Sequence, residues 1–500
     1  MLYAEEMMSI LKYLLAMIAA INALFLILVF SRRLWRSRYF RTYDAARSHH
    51  ASTVHAFASD KLSLASARET LGKANSRPAQ DAVHKMLLEA LDDSNRSRIS
   101  DLLLALGFVD RWAVAAFGEE RAAEMMQALS KETPPSARPA RNRVLSLALR
   151  LRFLAVGRAI AVFRLGQLAP NLAFFFAQEA LCDPSFDVRS LAIVAIGRSR
   201  HPAGVALLVG RLHTAVAARH EVSPRYIKSA LLHYQMEDLA LFQPFLSHCQ
   251  PRVRFFLVDT IREICDRAAS QAPLQPLDFP PQLSQQFLES LASDSFADVR
   301  ARSACVIKHF RTPQAAAALG SLLQDGNEYV RMFACRSVRH DFYASLIPNL
   351  LARLEDISWR VREDAVNSLV ALGPRGRRAM YTLFESCTDL LACEQVAEAI
   401  QRFGLMPELV AMLSSSAQDA VLAEAVCRQM TLLGMTSGFK FALGPDVPVR
   451  TCSLLRELLA EAPRQRLHLS PRERFESLSP SSPQNPWTIP AITYAVARGD

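Results

Sequence analysis

Three heptapeptides near the middle of the chain repeat one another at constant spacing: Asp294 to Arg300 (DSFADVR), Asp325 to Arg331 (DGNEYVR) and Asp356 to Arg362 (DISWRVR). Val299-Arg300, Val330-Arg331 and Val361-Arg362 therefore recur every 31 residues. A fixed period in this range is the signature of a stacked-repeat architecture, in which each unit buries its apolar face only against its neighbours. The feature constrains the chain toward an extended surface before it suggests a pocket.

The residues between the motifs set the content of one repeat. ARSACVIKHF, MFACRSV and EDAVNSLVALG follow the arginines, and QQFLESLAS, AAAALGSLLQ and SLIPNLLARLE precede the aspartates. Their apolar residues fall at helical rather than alternating spacing. One repeat is thus two helices joined by a turn whose Asp, Ser, Gly and Asn residues cap helix starts and accept tight geometry.

These residues resemble the HEAT family, in particular the bacterial HEAT-like repeats also found in phycobilisome lyases, which read roughly L-x-x-L-L-x-D, four or five residues, V-R, then A-x-x-x-L-x-x-L-G. The same Asp-to-Arg interval of six occurs at Asp183/Arg189 and, without the Val, at Asp92/Arg98; weaker copies lie at Val253-Arg254 and Val449-Arg450. The resemblance implies an all-α solenoid of HEAT-like helical hairpins over about residues 80 to 462. It also implies a ladder in which Asp183, Arg189, Asp294, Arg300, Asp325, Arg331, Asp356 and Arg362 pair between adjacent repeats. A bidentate arginine-carboxylate contact suits that task because it fixes geometry as well as charge.

The amino terminus carries the second constraint. From Tyr13 to Phe30 only Asn22 is strongly polar, and Ser9 to Lys12 extend the run to about the 20 residues that span a bilayer. Glu5 and Glu6 precede it, while Arg32, Arg33, Arg36, Arg38 and Arg41 follow, with no small-residue cleavage site between. The segment reads as an uncleaved anchor. The positive-inside rule then expects a single-pass inner-membrane protein with residues 1–9 outside, 10–31 in the bilayer and the rest cytoplasmic. Nine scattered cysteines, an odd number without a disulfide-like framework, agree with a reducing compartment.

Further boundaries follow from composition. Residues 32–60 form a basic juxtamembrane segment, 61–130 a first helical block, 131–143 a Pro- and Arg-rich linker, 144–462 the main array interrupted by a proline-rich insertion at 271–284, and 463–500 a tail without helical periodicity. Only 17 glycines in 500 residues argue against a chain rich in hairpins or phosphate-cradling loops.

Chemistry-bearing motifs are scarce. His49, His50 and His55 lack a carboxylate or thiolate partner, His340-Asp341 lacks the other ligands of a metal-dependent phosphohydrolase, and His220-Glu221 lacks the second histidine of a zinc-protease helix. No G-x-G-x-x-G, G-x-x-x-x-G-K-[ST] or G-x-S-x-G is present. The sequence points to no catalytic residue, cofactor or metal, and hence to a non-enzyme. The net charge of +10 is concentrated: no acidic residue lies between Glu132 and Glu179, a stretch holding Arg143, Arg150, Arg158 and Arg164. Those four arginines are candidates for contact with anionic lipid or an acidic partner. No aromatic-basic groove pattern emerges, so nucleic acid is not favoured.

The expected function is a membrane-tethered cytoplasmic scaffold that binds a protein partner, itself membrane-associated. Its layout is similar to accessory proteins of bacterial envelope-polysaccharide systems that accompany membrane glycosyltransferases. The alternatives are a lyase-type enzyme, which the family resemblance brings with it, and a non-specific nucleic-acid-binding solenoid.

Overall fold

A computed structural model describes residues 2–132, 155–217, 222–272, 276–443 and 447–466, and among them there is helix and connecting turn but no strand. The chain divides into two units, Met1–Leu283 and Ser284–Asp500. The division falls within the proline-rich segment expected to interrupt the array. The 131–143 linker from residue 133 onward, Arg143, Arg150, His220-Glu221 and the tail from residue 467 lie outside the described residues.

The first unit begins with α1 (Leu2–Ala58), one unbroken helix of 57 residues. From Met17 to Leu34, its apolar side chains are exposed: Ile21, Phe25, Ile27, Phe30 and Leu34 are each more than half accessible. A change of neighbourhood follows at Tyr39, whose hydroxyl donates to Asp81 at 2.6 Å, and Arg47 then pairs with Glu89 at 3.1 Å. His50, Val54 and Phe57 are buried. Spacings of three and four place these residues on one helical stripe. That stripe packs on α3, so the first helical block takes in the last third of α1 rather than starting at residue 61.

The block continues through α2 (Leu64–Leu71), α3 (Arg77–Glu89), α4 (Arg96–Ala105), α5 (Phe108–Phe117) and α6 (Glu119–Glu132). Next come α7 (Ala155–Leu165), α8 (Pro170–Ala180), α9 (Phe186–Ser199), α10 (Pro202–Ala217), α11 (Pro224–Leu231) and α12 (Pro251–Gln271). α7, α9 and α11 pack in succession. The α9–α11 approach is close enough that a Cβ on Gly197 would lie 2.3 Å from the Ala230 carbonyl oxygen. A glycine is required there because any side chain would force the backbones apart.

The second unit shows the repeat directly. After α13 (Pro281–Gln286) come α14 (Ala297–Ile307), α15 (Pro313–Leu322), α16 (Glu328–Ser337), α17 (Ile347–Ala352) and α18 (Trp359–Ala371). They are followed by α19 (Gly373–Ser386), α20 (Leu390–Arg402), α21 (Met406–Leu413), α22 (Ala417–Leu432), α23 (Ser437–Phe441) and α24 (Val449–Arg466). The second helices α14, α16, α18 and α20 stack into one layer.

The 31-residue period is a period of burial. Val299, Val330 and Val361 are completely buried, as are Ala304, Cys335 and Val366 one turn on, and Ile307, Val338 and Leu369 after those. Burying each large aliphatic side chain stabilises the stack by about 1.5–3 kcal/mol. Ser303, Ala334 and Ala365 form a fourth buried column, where small side chains let neighbouring helices approach. Local sequence sets the helix starts: Thr312 accepts from the Ala315 N–H with Pro313 beside it, and Asp389 accepts from Ala392. Both satisfy amide donors that the first helical turn leaves open.

Candidate functional site: the ladder and the second-helix face

In each motif the aspartate first organises its own turn. Oδ1 of Asp294, Asp325 and Asp356 accepts the backbone N–H two residues on, at 2.8, 2.9 and 3.0 Å. The arginine six residues later returns to the same turn: Nη1 of Arg300, Arg331 and Arg362 donates to the Asp294, Asp325 and Asp356 carbonyl oxygens at 2.7, 2.8 and 2.6 Å. The free side of the guanidinium then crosses to the next repeat. Arg300 grips both oxygens of Asp325 at 2.7 and 2.8 Å, and Arg331 grips Asp356 at the same distances. The ladder has a direction, from the arginine of one repeat to the aspartate 25 residues on.

Burial raises the Asp325 and Asp356 carboxyls, yet the guanidinium and turn N–H hydrogen bonds outweigh it and hold both below the usual carboxylate range. The same rule of 25 shows where the ladder stops. Cys387 occupies the position beyond Arg362, and the buried Nε of Arg362 has no hydrogen-bond partner. Among the described residues, Arg189 bonds the Asp183 and Pro184 carbonyls, both at 2.9 Å, and Thr214 occupies its forward position. In the weak copy at Arg254, His248 replaces the aspartate and its carbonyl still accepts from Nη1 at 2.8 Å. Arg98 departs from the pattern: it pairs with Asp60, donates to the Leu62 carbonyl and lies over the Phe57 ring.

The arginines proposed as a contact surface are placed differently from that expectation where they are described. Arg158 grips both oxygens of Asp183, at 2.8 and 3.1 Å. It stands 25 residues before that aspartate and so fills the position of a ladder arginine. Arg164 lies 5.8 Å from the Trp112 ring, and burial is the main cause lowering its pKa. Both guanidiniums are engaged inside the first unit, because the apolar residues around them carry the helices into its core.

Arg164 also bears on a buried histidine. His84 packs its ring against Phe108 and Trp112, with centroids 5.6 and 6.0 Å apart, and its Nδ1 lies 3.2 Å from the Gln80 carbonyl. Burial first, then the Arg164 charge, pushes its pKa down to about 4 against the partial opposition of Asp81. An unfolded chain takes up that proton near 6.5, so between pH 6.5 and 4 the unfolded state binds more protons and stability falls as pH falls. That displacement corresponds to about 3 kcal/mol. Urea unfolding at pH 7 and pH 4.5 should show this loss in the parent protein and a shallower one in His84→Leu; equal slopes would assign the pH dependence to other groups.

The remaining motifs have local roles. His340 accepts from the Phe342 N–H at 3.1 Å and so caps a short helical turn, and His50 is buried against His49. Among the described residues no three His, Cys, Asp or Glu side chains converge as a metal site. A cleft of about 530 Å³ beside α11 and α12 is crossed by Arg267, which donates to the Leu232 and Tyr234 carbonyls.

The second-helix layer presents a group the sequence reading missed. Arg302 and Arg336 flank the Phe333 ring, their guanidinium carbons 4.7 and 5.3 Å from its centroid. Arg336 Nε donates to Asp364 at 2.7 Å, Arg339 Nη2 to its other oxygen at 3.1 Å, and Arg339 Nε to Ser368 at 3.3 Å. The signal was present in the period: Arg302, Phe333 and Asp364 are 31 residues apart, Arg336 lies three residues after Phe333, and Arg339 stands 25 residues before Asp364, the ladder interval.

Residues 284–369, the stretch containing the three motifs, match the family model for HEAT repeats. Together with the hairpins described above, this supports an all-α solenoid class of HEAT-like repeats, carried by the matched stretch. Similar solved structures include human deoxyhypusine hydroxylase in complex with glycerol, at 18% identity over 56% of this chain and 97% of that one with a TM-score of 0.21. An engineered protein is similar at 13% identity over 79% and 98% with a TM-score of 0.30, and Kap121p at 12% over 76% and 57% with a TM-score of 0.29. No curated protein matches the chain.

Proposed function

We propose that this protein is a membrane-tethered HEAT-repeat scaffold that holds a protein partner at the cytoplasmic face of the inner membrane. The observation that carries the reading is the continuity of α1. From Met17 on it is long enough, and over an 18-residue window apolar enough, to cross a bilayer with none of that window buried, and the same helix then packs onto α3. An exposed apolar stretch of this length in water would be a large aggregation liability, which a lipid environment removes. Arg32, Arg33, Arg36, Arg38 and Arg41 follow the apolar stretch and favour retention of the repeats on the cytoplasmic side.

HEAT-like repeats support a binding role because stacked hairpins expose a long continuous face. The resemblance in layout to accessory proteins of envelope-polysaccharide systems makes a membrane glycosyltransferase the first partner to test. Alkaline phosphatase fused after Asp60 should be inactive and a cytoplasmic fluorescent reporter at the same site active, with the protein resisting alkaline extraction from membranes. Periplasmic phosphatase activity, or release by alkali, would remove the tether from the model.

A further inference from the structure

The ladder ends on a pair of thiols. The motif that follows Asp356 to Arg362 at the repeat period reads CTDLLAC, so Cys387 and Cys393 stand at the aspartate and arginine positions with the interval of six preserved. Helix register agrees: Asp294, Asp325 and Asp356 lie three residues before the starts of α14, α16 and α18, and Cys387 lies three before the start of α20 at Leu390. The turn is tied in the same manner. Cys393 Sγ donates to the Cys387 carbonyl at 3.5 Å, as the arginines donate to the aspartate carbonyls, and Cys387 Sγ bends onto its own turn, donating to the Asp389 carbonyl at 3.6 Å.

The arginine behind this pair lacks the anion its predecessors have. Arg362 is 8% exposed, and its Nη1 is fixed on the Asp356 and Ile357 carbonyls at 2.6 and 3.4 Å. Arg300 and Arg331, held by Nη1 on their own turns, use Nε and Nη2 to grip the aspartate of the next repeat. A guanidinium is planar, so the same Nη1 anchorage turns the Nε edge of Arg362 to the same forward place, where residue 387 stands. That Nε is buried and has no hydrogen-bond partner. An unpaired buried donor costs stability that a partner would recover, and the desolvation of this cation is already incurred in the thiol form.

We propose that Cys387 is a site of oxidation by hydrogen peroxide, and that its sulfinate completes the ladder by receiving the Nε edge of Arg362. A sulfinate carries two oxygens on the atom bonded to Cβ, as the aspartate carboxylate does, and offers them to a guanidinium as an anion. Two peroxide molecules are consumed. In each step the O–O bond breaks, sulfur gives up two electrons, one oxygen bonds to it and the other leaves as water. The thiol passes first to the sulfenic and then to the sulfinic acid, which loses its proton to solvent. Cys387 is half-buried and open to peroxide, whereas Cys393 is 2% exposed and also accepts from Gln429 Nε2 at 3.8 Å. Burial, then the Cys387 side chain, raises the Cys393 thiol, which leaves little thiolate to close a disulfide on the sulfenic acid. The site lies wholly within the second unit and does not depend on the scaffold reading.

The full chain in detergent micelles is treated with hydrogen peroxide and digested with trypsin, and the peptide Ala379–Arg402, which holds both thiols, is sequenced by tandem mass spectrometry. Two oxygen atoms should be gained on Cys387 and none on Cys393. The change in melting temperature on treatment should be more positive in the parent than in Cys387→Ser by about 2–4 °C, the size expected for one recovered contact in a unit of this length. Cys387→Asp supplies the anion without peroxide and should melt above the untreated parent by a similar amount. That gain should vanish when the same change is made in an Arg362→Gln background. An unmodified Cys387, a disulfide between Cys387 and Cys393 as the product, an equal change on treatment in parent and Cys387→Ser, a Cys387→Asp protein that melts with or below the parent, or a gain that persists without Arg362 would each overturn the proposal.

Discussion

Arg331→Ala should destabilise the second unit by about 3–5 kcal/mol, the usual cost of removing one member of a buried ion pair. The Arg331 and Asp356 side chains are 10% and 2% exposed, so solvent screens the contact little. The substitution also removes the donor to the Asp325 carbonyl, and thus disconnects one turn and leaves the buried Asp356 carboxylate of the next with only the longer Arg353 contact at 3.3 Å and the Ser358 N–H. For a unit of some two hundred residues this corresponds to a fall in Tm of roughly 10 °C. Asp356→Asn in the same background should restore part of the loss, since the neutral amide no longer needs a cation. An Arg331→Ala protein melting with the parent would show that the ladder is geometry without energy.

The parts of this arrangement legible in the sequence are those that depend on a fixed unit. An interval of six brings the arginine back to its own turn, and a period of 31 less six leaves the 25 that joins Arg300 to Asp325 and Arg331 to Asp356. The carbonyl contact needs no particular side chain at the accepting position, which explains how Arg254 keeps it with His248 in place of aspartate. Arg158 stands as a contact candidate in sequence because it lies in the acid-free stretch between Glu132 and Glu179; its own repeat has arginine, not aspartate, six residues earlier, and only the forward spacing to Asp183 marks it as a ladder arginine.

Pairings that fall off the repeat interval were not legible. Tyr39 with Asp81 spans 42 residues and Arg402 with Glu363 spans 39, neither of them a repeat interval. Such contacts depend on where a helix starts after a turn of variable length. Composition and apolar periodicity do not encode that offset. For the same reason the last third of α1 looked like a basic segment in sequence: its buried residues, His50, Val54 and Phe57, are separated by charged and polar ones that face outward.

If α1 is the proposed tether, removing residues 1–31 should release the protein from the membrane with its repeats still folded. The described contacts that fix the first unit, from Tyr39–Asp81 through Arg98 over Phe57, all lie beyond the deletion. If the tether confines the binding face beside a partner in the same bilayer, its loss lowers effective concentration and weakens association by about 10²–10⁴-fold without altering any contact. The truncation should therefore show parental thermal stability and fail to complement a null mutant at native expression. A second chain separates confinement from orientation. Six residues of helix between Arg33 and Tyr39 hold the first block within about 9 Å of the end of the arginine-flanked apolar stretch. Twenty Gly/Ser residues inserted after Ser37 break that rigid connection yet keep the anchor. Loss of complementation by the insertion as well as the deletion would assign α1 the role of an orienting strut, activity of the insertion alone would assign it only confinement, and full complementation by the soluble truncation would show that the membrane has no part in the mechanism.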